Sequence, residues 1–368
     1  MRVLCHLLFL ISISDVASLK PVQTSAVAAT KHDEPIISQA DLKAGDVLCF
    51  TTSGDTVSQF ITKLTGADVA HSAIVYEDPS HPPAVTATKI IECWHAIDIV
   101  NDIKHNGVNV NEIKDRFTSG RTIYVRRFIQ EDGKTMSNME PIMSTAKDSI
   151  GTPYVERNLY MLAGMVLLRH FAEPKGPLYN ISLLIIETLT AELINCVNAN
   201  LKKSDGNRTP LVCSEFVYKT FQDTKGYRLD IPDLQPRGSV LDQVLADVKE
   251  NGYDDANDEV VVSSAINPSG EFFDKLFGVA NDIVANCEAG VHFFPSEEHA
   301  ASPISQDFKR AVTKFCRAIY ALKLGKNIAE VPVVKALEYV KENEFLFATP
   351  GDLKSNTANL EKVGKIIN

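Results

Sequence analysis

Strand-like and helix-like patterning are segregated along this chain, which restricts it to an α+β architecture. From Ile36 to about Phe128 the sequence reads mainly as strand. Asp46-Val47-Leu48-Cys49-Phe50 follows a Lys43-Ala44-Gly45 turn, and His71–Tyr76, Lys89–His95 and Thr122–Phe128 are short β-branched and aromatic runs bounded by turn residues. One short helix interrupts them, Ser58–Thr65, with Phe60, Ile61 and Leu64 on one side and Gly66 as its stop. After Met139 the period changes. A helix over Met139–Ile150 ends at the turn Gly151-Thr152-Pro153-Tyr154, and apolar helical segments follow near 159–170 and 181–198. Beyond Pro236 the sequence is mainly helical, as in Phe308, Val312, Phe315, Ile319 and Leu322.

Hydrophobic residues make up 45% of the 368-residue chain and charged residues 23%, which supplies a sizeable core and argues against global disorder. A formal net charge of −10, with no Lys/Arg run, argues against a phosphate-binding surface, and no nucleic-acid partner is expected. Met1-Arg2 followed by the apolar run Val3–Ile13 and the small residues Ala17 and Ser18 reads as a signal peptide over 1–18. The run is too short to cross a bilayer, which takes about 20 residues. The expected location is therefore secreted or periplasmic, with 19–35 as a linker.

Cysteine spacing is irregular and lacks any C-x-x-C pair, so neither a zinc site nor a dense disulfide framework is expected, and no metal or cofactor. One cysteine differs from the rest by position. Cys213 opens an amphipathic helix, Cys213-Ser214-Glu215-Phe216-Val217-Tyr218, where unsatisfied backbone N–H groups and the positive end of the helix dipole favour a thiolate. His71, at the start of an apolar strand, is the candidate imidazole base. On periodicity alone Cys213 shares a stripe with Phe216, Val217 and Phe221 and would be a core cysteine.

Four segments together resemble a known family. Leu42-Lys43-Ala44-Gly45-Asp46-Val47 with His71-Ser72-Ala73-Ile74-Val75 is similar to the opening of the circularly permuted NlpC-type, papain-like hydrolases, in particular their YiiX-like branch. Gly151-Thr152-Pro153-Tyr154 resembles that branch's G-x-P-Y turn, Cys213-Ser214-Glu215-Phe216-Val217 its C-S-E helix, and Thr349-Pro350-Gly351-Asp352-Leu353-Lys354-Ser355 its closing T-P-x-D-L-x-x-S segment. The resemblance covers roughly 36–235 and 345–365. It implies a permuted papain-like core over 36–235 with an apolar helical elaboration at 159–198, a helical insertion over 236–344, and a closing segment over 345–368.

It also implies a small antiparallel sheet carrying the histidine, with the Cys213 helix packed on it. Cys213 would then be the nucleophile and His71 the general base, listed in reverse of the papain order. A polar residue on the next strand would orient the imidazole. Glu92 fits that place, with His95 as the alternative; the two point to opposite faces of a strand, so at most one can face His71. Backbone N–H groups at the helix start would supply the oxyanion donors, and Tyr154 would line the substrate cleft.

The expected activity is a cysteine amidase or peptidase acting on a peptide or cell-wall peptide. Relatives such as lecithin:retinol acyltransferase act on lipid acyl groups, so a lipid acyl hydrolase or acyltransferase with the same residues remains open. Its membrane contact would run through 159–198. A non-catalytic binding module that engages a protein partner through the helical insertion also remains open.

Overall fold

The computed structural model describes residues 34–54, 56–76, 88–94, 107–117, 120–130, 133–134, 138–154, 158–170, 183, 186–191, 193–195, 197–198, 210–232, 234, 240–253 and 305–367. The expected leader, most of the linker, His95, Cys196, Cys287 and the stretch 254–304 lie outside these residues.

The chain forms an α+β fold on one antiparallel six-stranded sheet. Its strands are β1 (Val47–Thr51), β2 (Val69–Tyr76), β3 (Lys89–Trp94), β4 (Gly107–Glu112), β5 (Thr122–Phe128) and β6 (Leu360–Ile367), in the spatial order β4-β3-β2-β1-β5-β6. The expected strands are all present, and two more close the sheet at its edges. β1 and β2 sit at the centre, where both faces are covered, and every residue of β2 is buried. That explains their near-continuous apolar sequence. The edge strands β4 and β6 carry the polar residues Asn109, Asn111, Glu112, Lys362 and Lys365, and their outer rims bond to the backbone of 151–152 and 35–37 respectively.

Two apolar clusters flank the sheet. Leu48, Phe50, Ala73, Val75, Ile90, Ile123, Val125 and Ile366 form the smaller one. Val47, Cys49, Ile74, Ile91 and Cys93 face the larger one, together with the helices. A bulge interrupts the alternation. Phe50 pairs with His71 and Thr51 with Val69, so Ala70 is an extra residue on β2. Val69 and Ala70 both join the larger cluster, and His71 resumes the alternation with Ala73 and Val75. Bulges of this kind re-aim the side chain that follows.

The described helices are α1 (Thr56–Thr65), α2 (Glu140–Asp148), α3 (Asn158–His170), α4 (Cys213–Asp223), α5 (Val240–Asn251), α6 (Gln306–Leu324) and α7 (Val333–Glu342). The central one is α4. Cys213 through Tyr218 are all buried, because the sheet covers one side of the helix and other helices cover the rest. The described helices of 236–344 form no separate lobe: α5, α6 and α7 contribute to the same cluster as α4. Phe308, Val312, Phe315, Ile319 and Leu322 are all buried, as their spacing requires, each side chain contributing about 2 kcal/mol on burial.

α6 starts at Ser305, whose Oγ accepts the Phe308 N–H at 3.2 Å, and stops at Gly325 in the left-handed region with φ 60°. α3 packs so closely on α6 that a Cβ at Gly164 would lie 2.0 Å from the Phe315 ring. Of the described apolar residues of the 159–198 stretch, Met161, Leu162, Met165, Val166, Leu168, Ile186, Leu189, Leu193, Ile194 and Val197 are likewise buried, and Leu183 is half-buried against the same cluster. Among the described residues no helix is long and apolar enough to cross a membrane.

The closing segment is tied to α3. Asp352 Oδ2 accepts the Thr349 N–H at 3.0 Å, the Thr349 hydroxyl at 2.7 Å and Arg169 at 2.6 Å. Burial pushes the Asp352 carboxyl up, but the Arg169 guanidinium outweighs it and holds the group below its usual range. Asp46 accepts the Lys43 N–H at 2.8 Å and binds Arg127 through both carboxylate oxygens.

Candidate active site

β2 and β3 pair from Ala73–Glu92 outward to Tyr76–Lys89, and among the described residues no pairing is made on the other side of Ala73. The strands therefore part beside His71 and Ser72. The start of α4 takes that opening. Ser72 lies beside the Cys213 sulfur, and the Cys93 S–H donates to the Leu211 carbonyl at 3.2 Å. Cys213 is the first helical residue, preceded by Val212 in extended conformation.

Valine has no side chain with which to cap a helix. Glu215 Oε2 instead reaches back to accept the Val212 N–H at 3.0 Å. The first intrahelical bond runs from the Phe216 N–H to the Val212 carbonyl, so the N–H groups of Cys213 and Ser214 have no acceptor within the helix. They are the donors available to a developing oxyanion.

His71, Cys213 and Glu92 meet in the opening. His71 Nε2–H donates to Glu92 Oε2 at 2.6 Å, and both residues are buried. The other ring nitrogen, Nδ1, is left for Cys213, whose sulfur lies close enough to the imidazole for each to shift the other. Two aromatic rings hold the imidazole in place: Trp94 edge-on at 5.0 Å between centroids and Phe50 tilted at 5.3 Å.

The remaining Glu92 oxygen is equally occupied. Oε1 accepts from Asn111 Nδ2 at 2.8 Å and from Arg116 Nε at 2.7 Å, and the guanidinium of Arg116 stacks over the Trp94 ring at 4.2 Å. Trp94 and Glu92 are thus both fixed by one cation.

Electrostatics follow from this packing. Burial alone pushes the Glu92 carboxyl up, but His71 and Arg116 together bring it down to about 2, so it is ionised at any physiological pH. Burial opposes charge on His71 as well, yet the sulfur of Cys213 and the Glu92 carboxylate raise its pKa. For Cys213 burial again acts upward, and the imidazole with Ser72 beside it reverses this, leaving the thiol below its usual range. Each member of the trio shifts toward its charged form. Ser72 Oγ is fully buried beside this sulfur and makes no hydrogen bond of good geometry, so it remains available to a thiolate.

Of the sequence candidates, Cys213, His71 and Glu92 come together. His95 falls outside the described residues. Tyr154 is half-buried against the larger cluster, on the turn whose Pro153 carbonyl accepts the Leu211 N–H at 3.2 Å. That turn lies along β4: the Thr152 carbonyl accepts the Val108 N–H at 2.9 Å, and a Cβ at Gly107 would come within 2.2 Å of the same carbonyl. Only glycine, at φ 129°, permits this approach.

The sequence reading did not find Asn111, Arg116, Trp94 or Ser72. Ser72 and Trp94 each sit beside a residue already singled out or one step beyond it, and that adjacency was the available signal. Among the described residues no group of three or more His, Cys, Asp and Glu side chains is arranged so that it could hold a metal ion.

No family model matches the chain, and no curated protein matches it. Among solved structures, the crystal structure of the metalloprotein YiiX from Escherichia coli O157:H7 is similar, with a TM-score of 0.28 and 16% sequence identity over 51% of this chain and 69% of that one.

Proposed function

We propose that this chain is a cysteine hydrolase of the circularly permuted, papain-like NlpC type, exported through the leader at 1–18, that cleaves an amide bond in a peptide or cell-wall peptide. The observation that carries this reading is the buried contact of Cys213, His71 and Glu92. A thiol at a helix start meets an imidazole whose far nitrogen is bonded to an ionised carboxylate. A cysteine serving only the core would gain nothing from such partners.

The chemistry runs in two halves. The Cys213 thiolate attacks the carbonyl carbon, forming a C–S bond while the carbonyl π-electrons move to oxygen. The N–H groups of Cys213 and Ser214 stabilise that oxyanion. The C–N bond then breaks, and the His71 imidazolium gives its proton to the leaving nitrogen, so the products are an amine and a thioester. In the second half neutral His71 takes a proton from water, whose oxygen attacks the thioester. The C–S bond breaks, releasing the acid and restoring the thiolate–imidazolium pair. Glu92 accepts the His71 Nε2–H throughout, fixing the ring orientation and stabilising the imidazolium. Tyr154 would contact the substrate from the neighbouring turn. Hydrolysis or transfer of a lipid acyl group uses the same steps with an ester and a different acceptor.

The test is to trap the acyl-enzyme. Full-length protein mixed with p-nitrophenyl acetate and, separately, with N-acyl peptide amides is quenched in acid and weighed by intact mass spectrometry. A mass increase of one acyl group on Cys213, absent in Cys213→Ala, is expected. Acylation that persists unchanged in Cys213→Ala would remove the reading.

A further inference from the structure

We infer that Lys323, on α6, is a positioning residue for the nucleophile: its buried ammonium clamps the segment 210–212 and the first turn of α4, and so sets where Cys213 meets His71. The inference rests on the reading of Cys213 as nucleophile and adds a component from the helical region outside the family resemblance.

Lys323 is an unexpected occupant of its place. It lies four residues after Ile319 and seven after Cys316, on the apolar stripe of α6, and its side chain is 0% exposed. Burying an ammonium is costly unless it is fully paired, and a leucine there would fill the space without that penalty. What leucine could not do is donate. Lys323 Nζ gives hydrogen bonds to the Pro210 carbonyl at 2.7 Å and to Glu215 Oε2 at 2.8 Å.

Both acceptors belong to the entry of α4. The Leu211 N–H is held by the Pro153 carbonyl, and the Leu211 carbonyl by Cys93. The Val212 N–H is held by Glu215 Oε2, and the Val212 carbonyl by the Phe216 N–H. Pro210 has no N–H, and its carbonyl is held by Lys323. Every backbone polar group from the Pro210 carbonyl to the Val212 carbonyl is therefore satisfied. Lys323 makes one of these bonds itself and steadies another through Glu215.

A direct field on the sulfur is the smaller effect. The charged and titratable groups around Cys213 are His71 on β2, Glu92 and Cys93 on β3, Cys49 on β1, Glu215 on its own helix and Lys323 on α6. Lys323 and Glu215 form an ion pair whose charges largely cancel at a distance, so the clamp acts through geometry.

The experiment compares the pH dependence of Cys213 alkylation by iodoacetamide, with peptide mapping, in full-length wild type, Lys323→Met and Lys323→Met/Glu215→Gln. The double variant carries no buried unpaired charge, and the amide oxygen that replaces the Glu215 carboxylate can still accept the Val212 N–H. It keeps the test in force if the single variant does not fold. The expected result is an alkylation midpoint shifted upward by about one pH unit in the variants, because the thiol no longer sits squarely against the imidazole. A purely structural Lys323 would lower the melting temperature and leave the midpoint in place, and that outcome overturns the inference alone. A wild-type Cys213 that titrates as an ordinary thiol overturns both the inference and the reading it rests on.

Discussion

Cys213 and Cys93 are neighbouring thiols with opposite prospects. Both are buried, and both touch the same short segment of chain: Cys93 donates to the Leu211 carbonyl, while Cys213 lies two residues further on. At Cys93 burial raises the thiol pKa well above its ordinary value, and the nearby Cys213 and Glu215 raise it further. Cys49 is pushed up to about 12 by burial in the same way. At Cys213 an equally buried sulfur is lowered instead, because an imidazole and Ser72 face it. Burial does not by itself silence a thiol; what decides is whether the surroundings offer donors and a positive charge.

Removing the imidazole should erase the contrast. In His71→Ala, burial acts on Cys213 as it does on Cys93, and turnover should fall by about 10³-fold. Steady-state kinetics on whichever substrate gives the acyl-enzyme would show it, and a loss of less than about tenfold would mean that His71 is not the base.

Glu92→Gln should weaken the contrast without abolishing it. The amide oxygen can still accept the His71 N–H, but the amide nitrogen then meets the Asn111 and Arg116 donors, and the imidazolium loses a negative neighbour. A fall of about 10²-fold is expected, together with a change in the pH profile. The wild-type ion pair occupies the window between the lowered Cys213 pKa and the raised His71 pKa. On the proposed mechanism, activity should be lost on the acid side as the thiolate is protonated, and on the alkaline side as the imidazolium loses its proton. Without Glu92 the alkaline limb moves to lower pH. An alkaline limb that stays in place would exclude the carboxylate as a determinant of His71.

The same carboxylate links to folding. Its pKa is about 2 in the folded chain against an ordinary 4.5, so it contributes stability that is complete above the ordinary value and lost as pH falls toward about 2. Glu92→Gln should flatten this part of an acid-unfolding curve.

The smallest effect belongs to the inert partner. Cys93→Ala removes one sulfur hydrogen bond and a little packing, which should cost about 1 kcal/mol by chemical denaturation. Turnover should stay within about threefold of wild type, and a larger loss would mean that the Cys93 bond to the Leu211 carbonyl helps to place Cys213.

Much of this site was legible because its residues break a local pattern. A cysteine at a helix start and a histidine in an apolar strand both depart from what burial alone would select. Glu92 is charged at a fully buried strand position between Ile91 and Cys93. The supporting residues break no pattern. Arg116 sits in a short polar turn after β4, and Asn111 on an edge strand so polar that the strand itself went unrecognised. β6 was hidden in the same way, since Gly364 and three lysines or glutamates dilute its apolar residues. Strand identity there comes from a neighbour, β5, more than two hundred residues earlier in the chain. Lys323 did carry a signal, a cation on an apolar stripe, although its acceptors at Pro210 and Glu215 are fixed only by how α6 packs on α4.

The central claim is that Cys213 is a thiolate by virtue of His71, and one experiment addresses it directly. The full-length protein is alkylated with iodoacetamide near pH 6, where an ordinary thiol of pKa about 8.5 is only about 0.3% thiolate. The modified peptides are then mapped in wild type and His71→Ala. Rapid, selective labelling of Cys213 that disappears in His71→Ala is the predicted result. If Cys213 labels no faster than Cys49, Cys93 or Cys316, or labels equally in both proteins, the account is wrong.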